Sequence, residues 1–474
     1  MRKSEVGNSS RGAMFGETDA ATRVATRGAT RVGTRVAFQT LGCRLNQYET
    51  DSLATDFKRG GYSIVPFDSP ADCYIVNTCT VTDRSDRKSR NLIHRARRSW
   101  NAGDDTRGTD SPVVVVTGCF AEANEEYAAN LDGVTYVVGN ERKHTIFDVV
   151  DAHFRNEIVS PLDLESNRFG FGDALEGFHT RATIKVQDGC DNFCTFCVIP
   201  FVRGRAESRP AGEILEHASR VIDLGAKEII LTGVNMGRYD SDSFGFPELV
   251  RSILELPGEF RLRLSSIEPD IHGDGFEDLV LHEKFCPHLH LCLQSGADRV
   301  LIAMRRQYTV ASYREMVEAL RLRDPSMNFT TDIIVGFPGE TDSEFEETIA
   351  LVEEIGFSHV HTFPYSVRTG TRAERMSGHI DETLKSERAA RIRETAGRLK
   401  RRNRELFVGK SQRLLVERTD KSISPRGNPT ATGHGEHYHP IEIDSPGVEH
   451  NTFVDVEITG VADREEPVLI GSMS

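Results

Sequence analysis

The chain of 474 residues lacks any apolar run close to the roughly 18 residues that a membrane-spanning helix requires. Its run of four valines at 113–116 is long enough only for a buried strand. Nine cysteines are too few for a disulfide scaffold in a chain of this length, and no segment reads as a secretory signal. We therefore expect a cytoplasmic protein with no membrane partner, whose cysteines are reduced thiols or metal ligands.

The chain also lacks an excess of positive charge, with 58 Lys and Arg against 72 Asp and Glu and a net charge of −14. That balance does not favour nucleic acid at the level of the whole chain, although a local cationic patch can still bind phosphate. Residues 1–33 differ from the rest, because Thr-Arg pairs recur every four residues and no apolar face forms. We expect a disordered extension there, with an Arg-rich transit peptide as the alternative.

Strand and helix patterns alternate through the rest of the chain. Residues 34–150 predict a small parallel α/β domain, and the weakly periodic residues 151–180 predict a linker. Residues 181–408 contain six strand-and-helix units, which predict a partial (β/α)6 barrel that ends in a long basic helix at about 382–406. Short strands over 409–472 predict a small β-barrel of the oligonucleotide-binding type.

Three cysteines lie within eight positions of the segment GCDNFCTFCVIP, with the spacing C-x3-C-x2-C. Structural zinc usually has four closed ligands, whereas an iron–sulfur cube held by three thiolates leaves one iron open. Cys190, Cys194 and Cys197 follow the first predicted barrel strand, at the edge where such folds place their chemistry. With Phe196 before the last cysteine, the motif resembles that of radical S-adenosylmethionine enzymes. The resemblance implies a [4Fe–4S] cluster that binds and cleaves S-adenosylmethionine.

Three more cysteines, Cys43, Cys79 and Cys119, each follow a predicted strand of the amino-terminal domain. The carboxyl ends of parallel strands meet at one edge, so the three thiols can converge, although buried strand cysteines are common. The segments TLGCRLNQYET, NTC, TGC and QDGC resemble the methylthiotransferases over residues 34–472. That resemblance implies a second [4Fe–4S] cluster on these cysteines and an RNA-binding TRAM domain at the carboxyl end. Cys73, Cys286 and Cys292 match no such segment, and we assign them no chemistry.

The methylthiotransferases divide by substrate. The segments NTCTVTDRSDRKSR and LTGVNMGRYD resemble the branch that modifies threonylcarbamoyladenosine beside the tRNA anticodon. Within the second segment, the residues VNMGRYD depart in part from the usual pattern of that branch. The alternative substrates are isopentenyladenosine in tRNA and an aspartate of a ribosomal protein. A protein that binds RNA and senses iron or oxygen through its clusters, without catalysis, is a third. The expected reaction uses two S-adenosylmethionine molecules and an electron donor such as flavodoxin or ferredoxin, in a monomer.

Basic residues follow both cysteine sets. A helix beginning near residue 84 would place five cations along one face, which predicts a phosphate-binding surface, with a solvated helix face as the alternative. Arg203, Arg205 and Arg209 could either contact RNA phosphate or neutralise the cluster and cofactor. The five cations of the predicted RNA-binding face are Arg84, Arg87, Lys88, Arg95 and Arg98.

Polar residues at the ends of later barrel strands are the candidates for contacting S-adenosylmethionine. Ser265, Glu268 and Gln294 can hydrogen-bond a ribose or an amino acid, and Arg305 can pair with a carboxylate. In the tail, GHGEHYHPIEI contains three histidines, for which we expect surface or RNA-contacting roles and keep a metal site as the alternative. These histidines are His434, His437 and His439.

Overall fold

The computed structural model describes residues 33–101, 111–172, 180–241, 244–270, 273, 275–423, 429–444 and 447–473. The predicted disordered extension therefore falls outside the described residues, apart from Gly33, as do residues 173–179 of the predicted linker. In the described part of the chain, no helix combines the length and apolar character that crossing a membrane would require.

The amino-terminal domain is built on a five-stranded parallel sheet with the order β2-β1-β3-β4-β5. The strands Cys73–Thr78 and Val113–Gly118 are fully buried, because their alternate side chains enter separate cores on the two faces of the sheet. Strands are β1 (Arg35–Thr40), β2 (Ser63–Val65), β3 (Cys73–Thr78), β4 (Val113–Gly118) and β5 (Tyr136–Val138). Helices are α1 (Arg44–Arg59), α2 (Asp83–Asn101), α3 (Cys119–Ala123), α4 (Glu125–Ala129) and α5 (Ile146–Phe154), with 3-10 turns at Asn140–Thr145 and Pro161–Asp163.

The central domain is an open barrel of parallel strands, with β8-β7-β6 on one side and β9-β10-β11-β12 on the other. Only Ser265 separates β8 from β9, so these two segments act as one strand and the predicted partial (β/α)6 barrel is confirmed. The strands are β6 (Arg181–Lys185), β7 (Glu228–Thr232), β8 (Arg261–Leu264), β9 (Ser266–Ile267), β10 (His288–Leu291), β11 (Asn328–Val335) and β12 (His359–Pro364).

Helices between the barrel strands begin at local sequence signals. The hydroxyls of Thr309 and Thr341 each accept a backbone N–H three residues later and complete capping boxes with Ser312 and Glu344. The helices are α6 (Ile199–Val202), α7 (Ala211–Asp223), α8 (Phe246–Leu254), α9 (Asp298–Ala303), α10 (Val310–Arg323), α11 (Asp342–Ile355) and α12 (Glu382–Glu405). Short strand pairs (Gln187–Asp188 with Glu207–Ser208, Asp240–Ser241 with Phe244–Gly245) and 3-10 turns (Met236–Arg238, Glu277–Leu281, Ala373–Arg375) complete the domain.

The tail forms the predicted small barrel, closed in the order β13-β14-β15-β17-β16. Closure leaves no free sheet edge and buries one apolar core, which Phe407 joins from the end of the long helix α12. Its strands are β13 (Ser411–Ile423), β14 (Pro429–His434), β15 (Pro440–Asp444), β16 (Phe453–Val461) and β17 (Leu469–Met473).

A buried cluster of charges joins the amino-terminal domain to the barrel. The Glu49 carboxylate, with no exposed side-chain surface, lies 2.5 Å from the Lys143 ammonium, 3.0 Å from Lys185 and 3.1 Å from the Arg203 guanidinium. Asp188 contacts Lys185 at 2.5 Å and Arg203 at 3.0 Å. Burial would raise the pKa of Glu49, but Arg203, Lys143 and Lys185 hold it well below its usual value.

We predict that Glu49→Gln lowers the free energy of unfolding of the amino-terminal domain by about 3–5 kcal/mol, because buried cations lose their partner. The single tryptophan, Trp100, lies in α2, so its fluorescence during urea unfolding reports on this domain. Because the folded pKa of Glu49 is depressed, its stabilisation is present above the unfolded carboxyl pKa and is lost as the pH falls toward the folded pKa.

The matched control is Glu141→Gln. Glu141 pairs with Arg168 at 2.7 Å in the same region, but its side chain is 50% exposed. Solvent screens such a pair, so we expect a change of at most about 1 kcal/mol. Equal effects of the two substitutions would contradict a special role for the buried cluster.

Candidate active site between the three domains

A cavity of about 1090 Å³ is lined by side chains from all three domains. Both cysteine sets face it, and all six thiols are free. Cys292 lines the same cavity, whereas Cys73 and Cys286 are buried elsewhere. The cysteines that line it from the two predicted sets are Cys43, Cys79, Cys119, Cys190, Cys194 and Cys197.

The amino-terminal set converges because three strand ends meet at one sheet edge. Cys43 is the residue before α1, Cys79 follows β3, and Cys119 begins α3. Gly42 has φ +106, and a Cβ there would lie 3.1 Å from the Cβ of Cys79, so glycine permits this approach. The Asn46 side-chain amide donates to the carbonyls of Leu41 (2.8 Å) and Thr78 (3.0 Å), which ties the first two loops together.

The surroundings of this set suit thiolates that bind metal. Burial raises the pKa values of the Cys79 and Cys119 thiols, so both are protonated at neutral pH and must lose protons when metal binds. Arg203 and Lys143 oppose the burial effect at Cys119 and can neutralise a negative cluster. The backbone N–H of Val81 donates toward Cys79. The donor set therefore fits an iron–sulfur group at these three cysteines.

The second set lies on the loop that follows β6. Backbone N–H groups of Asn192 and Ile199 point at the Sγ atoms of Cys190 (3.5 Å) and Cys197 (3.4 Å). The Arg306 guanidinium donates to Cys194 Sγ at 3.2 Å. Burial raises the pKa of Cys197 to about 12. Donors aimed at three sulfurs stabilise thiolates and tune the potential of a cluster, so this set also fits an iron–sulfur group.

Single-ion geometry distinguishes the cysteine sets from a zinc site. Tetrahedral Zn²⁺ with Zn–S bonds of about 2.3 Å requires sulfurs roughly 3.8 Å apart. Among the described residues, only His290, Asp332 and His361 bring three ligand atoms within 4.8 Å of one another, and neither cysteine set does so. The wider spacing of the sulfurs suits a cluster better than one zinc ion.

Of the four residues predicted to contact S-adenosylmethionine, three line the cavity: Ser265, Glu268 and Gln294. Arg305 does not line it. Its backbone has φ +61, and its exposed side chain lies on the outer side of the cysteine loop. The next residue, Arg306, occupies the cavity instead, contacts Glu268 and lies 3.0 Å from the Tyr308 hydroxyl. We therefore reassign the predicted contact from Arg305 to Arg306, and the contact itself stays a prediction.

Sequence reasoning missed a polar cluster inside the barrel. The alternating patterns HLHL in β10 and HVHTFP in β12 place His288, His290, His359 and His361 toward the cavity, beside Asp332 of β11. His290 Nε2 lies 3.3 Å from an Asp332 oxygen. Burial lowers the pKa of His361 and lowers that of His359 to about 4, so both rings are neutral at neutral pH.

The predicted RNA-binding face lies on α2. All five of its cations are exposed, and Lys88 also lines the cavity. On the opposite side, the Ser89 hydroxyl donates to the carbonyl of Cys79 at 3.0 Å, so the helix is attached directly to a cavity cysteine. Arg95 contacts Asp68. The other four cations have no acidic partner among the described residues. RNA binding by this face stays a prediction.

For the three arginines that follow the second cysteine set, the structure separates the two roles that the sequence left open. Arg203 lies near Cys119, where it can neutralise a negative group. Arg203 belongs to the buried charge cluster, and Arg209 is buried against Glu213 and His217, so neither can contact RNA phosphate. Arg205 alone of the three is exposed, at 74% of its side chain.

The tail histidines also differ from the expectation. A surface role is wrong for His437 and His439, which are 4% and 3% exposed, because Phe407 packs between them against the barrel. The His437 imidazole belongs to the junction between the tail and the barrel, where it lies 2.9 Å from the Ser326 hydroxyl, and His439 lines the cavity. His434 lines the cavity and pairs with Glu417 at 2.8 Å.

Comparison with known proteins agrees with this arrangement. Residues 184–352 match the radical SAM superfamily, and residues 35–139 match the uncharacterized protein family UPF0004. The threonylcarbamoyladenosine tRNA methylthiotransferase MtaB of Bacillus subtilis (strain 168) is 39% identical over 75% of this chain and 79% of its own. That of Chlamydia pneumoniae is 35% identical over 91% and 96%. The chain belongs to the radical SAM methylthiotransferases.

More distant relatives agree with the family and the fold. The tRNA-2-methylthio-N(6)-dimethylallyladenosine synthase of Jannaschia sp. (strain CCS1) is 31% identical over 89% of this chain and 90% of its own. The radical S-adenosylmethionine methyltransferase TsrM from Kitasatospora setae shares the fold, with a TM-score of 0.50 at 14% identity over 70% of this chain and 74% of that one. As a radical SAM methylthiotransferase, the enzyme uses S-adenosylmethionine and a [4Fe–4S] cluster.

The reassignment from Arg305 to Arg306 can be tested by ligand binding. We predict that Arg306→Gln weakens S-adenosylmethionine binding about 10- to 100-fold, because the cavity loses a charged donor and Glu268 loses its partner. Arg305→Gln should change the affinity less than about 2-fold, since that side chain lies outside the cavity. Equilibrium dialysis with the cluster-loaded protein measures both, and a larger effect of Arg305→Gln would contradict the reassignment.

Proposed function

We propose that this enzyme is a tRNA methylthiotransferase that adds a methylthio group at C2 of threonylcarbamoyladenosine beside the anticodon. The observation that carries the proposal is the single cavity shared by the two cysteine sets. Cys190, Cys194 and Cys197 would hold the radical cluster, and Cys43, Cys79 and Cys119 would hold a second cluster that provides sulfur. Two S-adenosylmethionine molecules would be used, one as methyl donor and one as radical source.

When bound, these groups supply the radical and sulfur chemistry, and the chain's own residues organise it. Ser265, Gln294 and the Glu268–Arg306 pair offer neutral and charged hydrogen-bonding groups for the polar parts of S-adenosylmethionine. Arg203 and Lys143 provide positive charge beside the amino-terminal cysteines.

Two features support RNA as the substrate. The exposed cations of α2 begin directly after Cys79 and lead to the cavity through Lys88, so they can hold backbone phosphates while a base enters. A base in a single-stranded anticodon loop can be turned out of its stack into such a pocket. The closed β-barrel of the tail has the architecture of small nucleic-acid-binding domains.

The polar interior of the barrel favours threonylcarbamoyladenosine over isopentenyladenosine. A threonylcarbamoyl group carries a carboxylate, a hydroxyl and amides, whereas a dimethylallyl group is apolar. The cavity offers His290, His361, Asp332, Lys400 and Arg404 as partners. Buried polar groups left unpaired by an apolar substituent would lower its binding. The names of several relatives point to the same substrate.

We predict that tRNA from cells lacking this gene loses 2-methylthio-threonylcarbamoyladenosine and accumulates threonylcarbamoyladenosine, as measured by nucleoside mass spectrometry. Re-expression of the wild-type chain should restore the modification, and a Cys194→Ala chain should not. Loss of the dimethylallyl derivative instead would favour the isopentenyladenosine alternative. Unchanged tRNA nucleosides would overturn the proposed substrate and direct attention to the ribosomal protein aspartate.

We predict that the combined substitution of Cys43, Cys79 and Cys119 by Ala removes about four of eight irons per chain, because one of two cubes loses its ligands. Formation of 5′-deoxyadenosine from S-adenosylmethionine should persist, since the other set is intact. Iron analysis after anaerobic reconstitution measures the first effect. Cys73→Ala, a change in the buried strand β3, is the control and should keep the wild-type iron content. An unchanged iron content in the triple variant would contradict a second cluster.

The remaining expectations belong to the same proposal. The enzyme would work as a cytoplasmic monomer and would receive single electrons from a small donor protein such as a flavodoxin or a ferredoxin.

A further inference from the structure

We propose that His290, Asp332 and His361 bind a divalent transition-metal ion inside the barrel, and that an open position on this ion takes a carboxylate of the substrate. The site uses none of the six cysteines of the two sets. The choice of a carboxylate rests on the proposed function, because the threonylcarbamoyl group supplies one. The observation that carries the proposal is that one possible ligand atom from each side chain lies within 4.8 Å of the other two.

The three side chains meet because neighbouring parallel strands place them on one face of the sheet. Asp332 of β11 lies directly opposite His361 of β12, and His290 of β10 lies opposite Thr330, two residues before Asp332. Residues two apart on a strand share a face, and all four of these residues line the cavity. Three adjacent strands of the barrel therefore hold the ligand atoms in fixed positions.

The contact between His290 and Asp332 has the geometry of two metal ligands and not that of a hydrogen bond. His290 Nε2 lies 3.3 Å from an Asp332 carboxylate oxygen, yet no group among the described residues completes a hydrogen bond to this buried nitrogen. Two ligand atoms that each lie about 2.1 Å from one ion are roughly 3.0–3.4 Å apart at octahedral or tetrahedral angles. Both atoms can therefore point to the same ion.

Hydrogen bonds within the barrel orient both imidazoles. His290 Nδ1 lies 3.0 Å from the Thr330 hydroxyl, which leaves Nε2 facing Asp332. His361 Nδ1 lies 3.2 Å from His359 Nε2 on the same strand. Histidines that bind metal usually have one ring nitrogen held by a hydrogen bond, which sets the tautomer and the orientation of the ring. The surroundings of both histidines have this character.

The donor set indicates which ions the site takes. Imidazole nitrogens suit zinc, iron and other transition metals, whereas magnesium and calcium prefer oxygen ligands alone. Three protein ligands leave one position open in a tetrahedral site and more in an octahedral one, as in metal sites that bind a substrate. We therefore expect Zn²⁺ or Fe²⁺, with its open positions toward the cavity that all three side chains line.

The charge of the site favours an anionic ligand. A divalent ion held by one carboxylate and two neutral imidazoles keeps a net positive charge. Lys400 and Arg404 line the same cavity, and Lys400 lies close enough to His361 to act on its charge. A carboxylate would neutralise the ion and bind it directly, whereas a dimethylallyl group has no ligand atom. The site would therefore also distinguish the two modified adenosines.

Zn²⁺ binding to the cluster-loaded enzyme, measured by anaerobic equilibrium dialysis without tRNA, tests the metal site. We expect about one ion per chain, and X-ray absorption at the zinc edge should report nitrogen and oxygen ligands without sulfur. Asp332→Asn and His361→Ala should each weaken binding at least about 10-fold, because the ion loses a ligand, while the iron content stays at the wild-type value. Zn²⁺ affinities equal to that of the wild type, or sulfur ligands at the zinc edge, would overturn the proposal.

The matched control is His379→Ala. This histidine is exposed and does not line the cavity, so its loss should change the Zn²⁺ affinity less than about 2-fold. A loss of affinity equal to that of His361→Ala would mean that zinc binds to surface histidines in general, which would also overturn the proposal.

Anticodon stem-loops test the carboxylate. We expect a stem-loop that carries threonylcarbamoyladenosine to bind about 10-fold more tightly with Zn²⁺ than after dialysis against zinc-free buffer, because the carboxylate gains a charged partner. A stem-loop that carries isopentenyladenosine should bind equally in both states, and His361→Ala should remove the effect of zinc. Equal affinity of the threonylcarbamoyl stem-loop in both states would overturn the role of the carboxylate. Because Zn²⁺ binding is measured without RNA, an error in the proposed substrate leaves the first test unaffected.

Discussion

The arrangement of the active site depends on one buried set of charges. Glu49 and Lys143 come from the amino-terminal domain, and Lys185, Asp188 and Arg203 come from the barrel. Separating any of these groups from its partners would leave a buried charge uncompensated, at a large cost in free energy. The relative position of the two domains is therefore fixed. That fixed position brings cysteines more than 70 residues apart in sequence to one cavity.

The same cations serve the chemistry as well as the packing. Arg203 and Lys143 lower the pKa of Cys119 against the effect of burial, so they lie close enough to stabilise a thiolate there. A parallel strand edge supplies each cysteine set, since the amino-terminal cysteines follow β1, β3 and β4 and the others follow β6. Each domain alone offers three thiols. The charged junction, together with contacts such as that of Arg368 with Asp83 and Asp86, turns the two edges toward each other.

Sequence alone was sufficient for what depends on local pattern. The alternation of strands and helices predicted all three folds. Strand ends, together with the segments that resemble the methylthiotransferases, identified six of the cysteines that line the cavity. It failed where the backbone conformation of one residue decides which side chain enters the cavity. Arg305 and Arg306 are equivalent in sequence, but the left-handed backbone at Arg305 turns only the Arg306 side chain into the cavity. It also failed for His361 and His437, because burial in a barrel or at a domain junction depends on distant segments that have no local signal.

The carboxyl-terminal barrel is part of the active-site wall and not only an appended domain. Its turn residue Tyr438 lines the cavity, with its ring 4.9 Å from that of His288 and 4.7 Å from the Arg263 guanidinium of the central barrel. Arg44, the residue after Cys43, donates to the Tyr438 hydroxyl at 2.5 Å. A nucleic acid bound by this domain would therefore lie beside a turn that contacts both cysteine-bearing domains. The complete site thus requires all three domains.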